Sequence, residues 1–331
     1  MPTAFRIAMA LCISTLFGGT GAHAQSLPRE VATRTEIYPI ASLTLSDQQF
    51  LSGDAAAGKP VTVAGEFRVA QGTGKLPVVV LMHGSSGVGA TTEAWVRAFN
   101  AMGISTFVID GFTGRGLTMV GPNQALLGRL NLIIDIYRSL DILAKHPRVD
   151  PDRIVLMGFS RGGQATLYAS VDRFNKLWNK SGITFAAYVP FYPDCSTSYV
   201  GDDGVVARPI RIFHGTPDDY NPVSSCKAFV ERLKAAGRDV VLTEYPDSAH
   251  GFDSGLLGVS TVAVSANSQT VRNCKIKEGD GGVLMNGDTN APFTYKDACV
   301  ELNPHVGGNP KTAAEARKAV QEFLQVLFKL G

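Results

Sequence analysis

Along the chain, short apolar runs alternate with longer stretches in which apolar positions recur every three or four residues. Val61–Val69 alternates apolar and polar residues, the mark of a strand with one solvent face. Leu76–Met82, Ser105–Asp110, Ile154–Gly158, Thr184–Pro190, Pro209–His214 and Val240–Tyr245 are nearly continuous apolar runs, as strands buried on both faces are. Helix-period stretches lie between them at Thr92–Met102, Leu126–Ala144, Gly163–Trp178 and Ser224–Ala236. A last one, Thr312–Lys329, sets Ala, Val, Phe and Leu on one face. This alternation predicts an α/β three-layer sandwich, a mostly parallel central sheet with helices on both faces. Right-handed crossovers then gather the strand C-termini along one edge, where loops build a site. Residues 254–310 break the rhythm, being rich in Gly, Asn, Ser and Thr without periodicity. They are expected to form an irregular insertion beside that edge, within a single domain spanning 25–331.

Composition narrows the classes. Of 331 residues, 45% are hydrophobic and 18% charged, which excludes a disordered or polyelectrolyte chain. A formal net charge of +2 leaves no electrostatic footprint for nucleic acid, so none is expected as a partner. The chain starts with Arg6, the apolar run Ile7–Phe17, and then Ala22-His23-Ala24. That order predicts a signal peptide over residues 1–24 and a periplasmic or secreted protein. The run is too short to span a bilayer, so no membrane association is expected after cleavage. Of five cysteines, Cys12 lies in this leader. Cys195, Cys226, Cys274 and Cys299 remain, an even number suited to disulfides in an oxidising compartment. Among the possible pairings, Cys195–Cys226 and Cys274–Cys299 are favoured, because each cysteine sits in a loop near its sequence partner. No CxxC or HExxH spacing occurs, and no metal is expected.

The chemistry concentrates at Gly158-Phe159-Ser160-Arg161-Gly162-Gly163, which follows an apolar strand and precedes a helix-compatible stretch. G-x-S-x-G in that context predicts a nucleophile elbow, whose strained turn needs glycines on either side of the serine. The following helix aims its N-terminal dipole at developing negative charge. A serine nucleophile needs a base, and the base an orienting acid, here expected in the order Ser, Asp, His. Asp218 follows the strand Pro209–Phe213, and His250 follows the strand Val240–Tyr245, so both project onto the edge that carries Ser160. Asp219 is expected to face solvent or fix the turn. The oxyanion is expected to meet the amides of Arg161, directly after the nucleophile, and of Ser85, in the loop after Leu76–Met82. His83 is expected to brace that loop, and His146 and His305 to be surface residues.

With these residues in place, the chain resembles the dienelactone hydrolase family of the α/β-hydrolase superfamily, over roughly residues 60–253 plus the terminal helix. The resemblance rests on HGSSG at 83–87, DGFTGRG at 110–116, GFSRGG at 158–163, HGTPDD at 214–219 and AHGF at 249–252. It implies the α/β-hydrolase fold and cleavage of an ester or lactone. Ser160 stands where the dienelactone-cleaving members carry cysteine. Phe252-Asp253-Ser254-Gly255 lacks the arginine they use, shortly after the histidine, to hold a substrate carboxylate. A general serine carboxylesterase acting on a small-molecule ester is therefore expected. Arg115 corresponds to the family's other arginine and is expected to bind substrate, the alternative being that it anchors its own loop. The expected mechanism is acyl transfer through Ser160, His250 and Asp218, which needs no cofactor. Peptidases and acyltransferases use the same triad, and a hydrolase fold kept only for binding is the reading from another class.

Overall fold

Each of the six apolar runs between Leu76 and Tyr245 becomes a strand in the computed structural model, which describes residues 28–29 and 31–330. The expected leader at 1–24 lies outside the described residues. The strands are β1 (Arg34–Thr44), β2 (Lys59–Val69), β3 (Leu76–Met82), β4 (Ser105–Asp110), β5 (Val149–Phe159), β6 (Ala187–Phe191), β7 (Thr197–Ser198), β8 (Ile210–Gly215) and β9 (Val240–Tyr245). All but β7 join one eight-stranded sheet in the order β1-β2-β4-β3-β5-β6-β8-β9. β2 runs antiparallel to both β1 and β4, and the other neighbours are parallel.

Both faces of this sheet are covered, as its apolar strands demand. Along β3, Val78, Val80 and Met82 enter one core while Val79 and Leu81 enter the other. The helices are α1 (Asp47–Ser52), α2 (Ala90–Ala101), α3 (Leu132–Leu143), α4 (Arg161–Tyr168), α5 (Asp172–Trp178), α6 (Val223–Ala235) and α7 (Pro310–Phe328). Trp95 and Phe99 of α2 pack with Val320 and Leu324 of α7 in the second core. The first core takes Ile136 of α3, Leu167 of α4, Phe174 of α5 and Phe229 of α6.

Three elements depart from the sequence reading. β1 is not anticipated, because Pro39 and a polar start blur its pattern, yet it pairs with β2 along its whole length. Proline is tolerated there because β1 is an edge strand. Gly163–Trp178 is two helices, not one. The chain breaks at Ser170 and Val171, where Val171 bridges to Val205 and the Ser170 hydroxyl donates to Leu167 O. α3 starts at Leu132 instead of Leu126, and the carbonyls of Leu127 and Gly128 accept from the Arg161 guanidinium.

Residues 254–310 are more ordered than their composition suggests. They form β10 (Val262–Val264), β11 (Gln269–Thr270), β12 (Ile276–Glu278), β13 (Leu284–Asn286), β14 (Glu301–Leu302) and β15 (His305–Gly307), paired in small sheets. The disulfide Cys274–Cys299 lies within this segment, and Cys195–Cys226 ties the loop after β6 to α6. Both pairs are those favoured from the sequence, although Cys226 lies in α6 and not in a loop. No helix among the described residues is long and apolar enough to cross a membrane.

Candidate active site

Between the end of β5 and the start of α4 stands Ser160, at φ 54° and ψ −117°. Such a backbone costs on the order of 1–3 kcal/mol and persists only where its surroundings hold it. Here the Ser160 N–H donates to Phe191 O at 3.0 Å, and Ser160 O accepts from the Gln164 N–H at 2.7 Å. The turn closes only because glycines flank it. A Cβ on Gly158 would lie 2.2 Å from Gly162 O, and one on Gly162 would lie 2.3 Å from Met82 O.

His250 Nε2 lies 2.8 Å from Ser160 Oγ, and His250 Nδ1 lies 2.8 Å from Asp218 Oδ2. The other Asp218 oxygen accepts from the N–H groups of Tyr220 at 2.9 Å and Asn221 at 2.8 Å. Burial alone would raise the Asp218 carboxyl, but the neighbouring His250 and His214 imidazoles hold it well below the ordinary carboxylate range. An ionised carboxylate only accepts hydrogen bonds, so Nδ1 of His250 keeps its proton and Nε2 accepts from the Ser160 hydroxyl. Tyr192 and Tyr220 pack against the His250 ring, with centroids 4.7 and 4.6 Å away. The imidazole is therefore held by one carboxylate and two rings.

Two cavities border Ser160. The larger, about 490 Å³, is lined by His250, Ser85 and Tyr192, with Val259 and Ala263 of the 254–310 segment in its wall. The smaller, about 30 Å³, is lined by Ser85, Arg129, Arg161 and Gln164. Among the described residues, the backbone N–H groups of Ser85 and Arg161 have no protein acceptor. His83 braces its loop, donating from Nδ1 to Gly84 O at 2.7 Å and accepting at Nε2 from the Gly111 N–H at 3.0 Å. No group of three or more His, Cys, Asp or Glu that could hold a metal ion occurs among the described residues.

Arg115 is not brought to this site, which corrects the expectation that it binds substrate. Its guanidinium forks onto Asp135 at 2.7 and 2.9 Å and donates to Gly111 O and Leu43 O, leaving the side chain 3% exposed. It anchors its loop instead. His146 is likewise not a surface residue, since it is buried with Nε2 3.2 Å from Glu36. Asp219 pairs with Arg272 and His305 of the 254–310 segment. The sequence reading misses Tyr192, Asp253 and Gln124. Tyr192 and Asp253 directly follow β6 and the His250 turn, a signal that topology alone offers. Asp253 accepts from Trp95 Nε1 at 2.9 Å and from the Tyr192 hydroxyl, and burial raises its carboxyl above the ordinary range. Gln124, which accepts from Arg161, lies in aperiodic chain after β4 and leaves no such signal.

Several known proteins share parts of this architecture. Acyl-protein thioesterase 1 of Gibberella zeae is 32% identical over 100 residues, covering 30% of this chain and 42% of that protein. The chain spans less than half the length of the curated relatives it matches. The solved structure of m3DLH superposes with a TM-score of 0.56 at 19% identity, covering 88% of this chain and 98% of that one. A dienelactone hydrolase-like promiscuous phosphotriesterase from metagenomic libraries superposes with a TM-score of 0.54 at 15% identity, covering 89% and 98%. These two likenesses establish the α/β-hydrolase fold. The profile of the dienelactone hydrolase family matches residues 66–272, more than half of the chain. By that match, the chain belongs to the dienelactone hydrolase family.

Proposed function

We propose that this protein is a serine hydrolase that cleaves small or medium carboxylic esters or lactones through an acyl-enzyme on Ser160. The observation that carries this reading is the unbroken hydrogen-bond chain from Ser160 through His250 to Asp218, 2.8 Å at each link. Ser160 Oγ bonds to the ester carbonyl carbon as its proton passes to His250 Nε2. Asp218, kept ionised, stabilises the imidazolium that forms. The oxyanion meets the free N–H groups of Ser85 and Arg161 at the N-terminus of α4. Collapse breaks the carbon–oxygen bond, and His250 hands its proton to the leaving alcohol. Water, deprotonated by the same imidazole, attacks the acyl carbon and releases the acid, while Ser160 regains its proton. None of these steps requires a metal or organic cofactor.

Thioesters are a second reading, favoured by the relative named acyl-protein thioesterase 1, since they present the same acyl carbon to the serine. The chain is further read as one domain from residue 25 with 254–310 as an insertion. The two disulfides support export, with residues 1–24 as the leader. A panel of esters and thioesters with acyl chains of increasing length tests the activity. Turnover of short and medium members, abolished in Ser160→Ala, is expected. A folded protein that turns over none of them overturns the reading.

A further inference from the structure

We propose that Tyr192 and Asp253 are positioning residues for His250: the Asp253 carboxylate fixes the Tyr192 hydroxyl, and the tyrosine ring keeps the imidazole in line between Ser160 and Asp218. The proposal rests on the hydrolase reading and adds two residues to the machinery of that same site.

Asp253 lies three residues after His250, in the 3-10 turn Phe252–Leu257, and is 1% exposed. Its oxygens accept from Trp95 Nε1 at 2.9 Å and from the Tyr192 hydroxyl, and neither donor is a cation. Among the described residues, no Lys or Arg lines the large cavity that Asp253 borders. Burial pushes its carboxyl above the ordinary range. A buried carboxylate without a cation is a poor device for holding a turn, since apolar residues of similar volume serve stability as well or better. Buried ionisable groups of this kind gather where a fold does chemistry.

Tyr192 is held in an unfavourable pose as well. It directly follows β6 at φ 35°, in the left-handed region that residues other than glycine rarely adopt. Its N–H donates to Phe213 O at 2.8 Å, and its carbonyl accepts from Asn221 Nδ2 at 3.0 Å. In this pose the ring meets the His250 ring at a centroid distance of 4.7 Å and an interplanar angle of 63°, while the hydroxyl ends on Asp253. Asn221 carries the connection further, because its N–H donates to Asp218 Oδ1 at 2.8 Å. Asp218 Oδ2 in turn lies 2.8 Å from His250 Nδ1. Hydrogen bonds therefore run from Asp253 through Tyr192, Asn221 and Asp218 to His250. The chain from His250 to Asp253 closes the circuit.

Asp218 grips the imidazole at one atom, Nδ1, which leaves the ring free to tilt about that contact. Nε2 must nevertheless stay on Ser160 Oγ, and a misplacement of about 1 Å costs on the order of 10²-fold in rate. Tyr192 and Tyr220 both flank the ring. The Tyr220 hydroxyl meets Gln124 Nε2 at 3.4 Å, a long and neutral contact. The Tyr192 hydroxyl meets a carboxylate, a stronger bond, so Tyr192 is the better anchored of the two. The ionisable side chains around the imidazole include Asp218, with His214 Nε2 3.4 Å from it, and Asp253, Tyr192 and Tyr220. Asp253 thus adds negative charge near the imidazolium that forms as Ser160 gives up its proton.

The test measures kcat and KM for ethyl butyrate in Tyr192→Phe, which keeps the ring, in Asp253→Asn, which keeps the shape, and in both together. Each single variant should lower kcat about tenfold with KM within about twofold, and fluorophosphonate labelling of Ser160 should slow by the same factor. The double variant should fall no further than the slower single one, because both changes act through one ring. Three results overturn the proposal: a kcat within about twofold of wild type in either single variant, a loss carried by KM, or a multiplied loss of about hundredfold in the double variant. If Asp253→Asn does not fold, Tyr192→Phe, smaller by one oxygen, is read against the same kcat and labelling criteria. NMR of the His250 Nδ1 proton needs no turnover. A wild-type resonance that broadens or vanishes in Tyr192→Phe supports the circuit, and one left unchanged overturns it. That response in a protein that cleaves no ester and takes no label would leave the circuit standing and count against the hydrolase reading alone.

Discussion

At Ser160, the strained backbone and the two flanking glycines present a hydroxyl to His250 Nε2 at 2.8 Å, the partner proposed as its base. Ser160→Ala and His250→Ala should each lower kcat by on the order of 10³ or more with little change in Tm. Steady-state kinetics beside a thermal melt reads both. Asp218 adds a pH signature. Its folded pKa lies below its unfolded one, so its stabilising contribution is complete above the ordinary carboxylate range. That contribution is lost as pH falls through the folded value. Asp218→Asn should therefore flatten the fall of Tm below about pH 4, and an unchanged acid limb would contradict the assignment. Arg115 belongs to stability rather than selectivity. Arg115→Met strands the buried Asp135 carboxylate and should cost about 3–5 kcal/mol in a denaturant melt, without altering the ratio between acidic and neutral esters.

Among the elements, β3, β4 and β9 begin and end where the sequence places them, and for β3 the reason is physical. All seven of its residues are buried, so the apolar run and the strand share their limits. β1 hides because it has the opposite character, being an edge strand exposed at alternate positions and interrupted by Pro39. The start of α3 is illegible for another reason. It depends on the Arg161 guanidinium, 34 residues away from Leu127, and no local pattern carries such a partner. The 254–310 segment shows the same limit, since its strands are only two or three residues long and all but the β12–β13 pair join chain far apart in sequence. Its disulfide closes a 25-residue separation, which the loop-entropy estimate values at about 3–4 kcal/mol. Replacing Cys274 and Cys299 with serine should lower Tm accordingly. It should also raise KM more than it lowers kcat, because the segment walls the cavity while leaving Ser160 untouched.

On the scale of the whole molecule, a parallel sheet carries its chemistry at one edge, and the 254–310 segment is fastened to that edge at several points. The Gly307 N–H donates to His250 O at 2.9 Å, the Asn309 N–H to Phe252 O at 3.0 Å, and the Thr270 hydroxyl to Tyr220 O at 2.6 Å. Motifs at strand ends made Ser160, Asp218 and His250 legible, because topology requires strand-end residues to converge. The cavities were not legible, since Arg129, Gln124 and Tyr295 meet only through the folded segment. If this convergence makes Ser160 a covalent nucleophile, a fluorophosphonate labels it, and peptide mass spectrometry locates the adduct. One adduct is expected on the peptide containing Ser160, absent from Ser160→Ala and slowed by orders of magnitude in His250→Ala. An adduct on any other residue, or ester turnover by a protein whose Ser160 stays unlabelled, would contradict it.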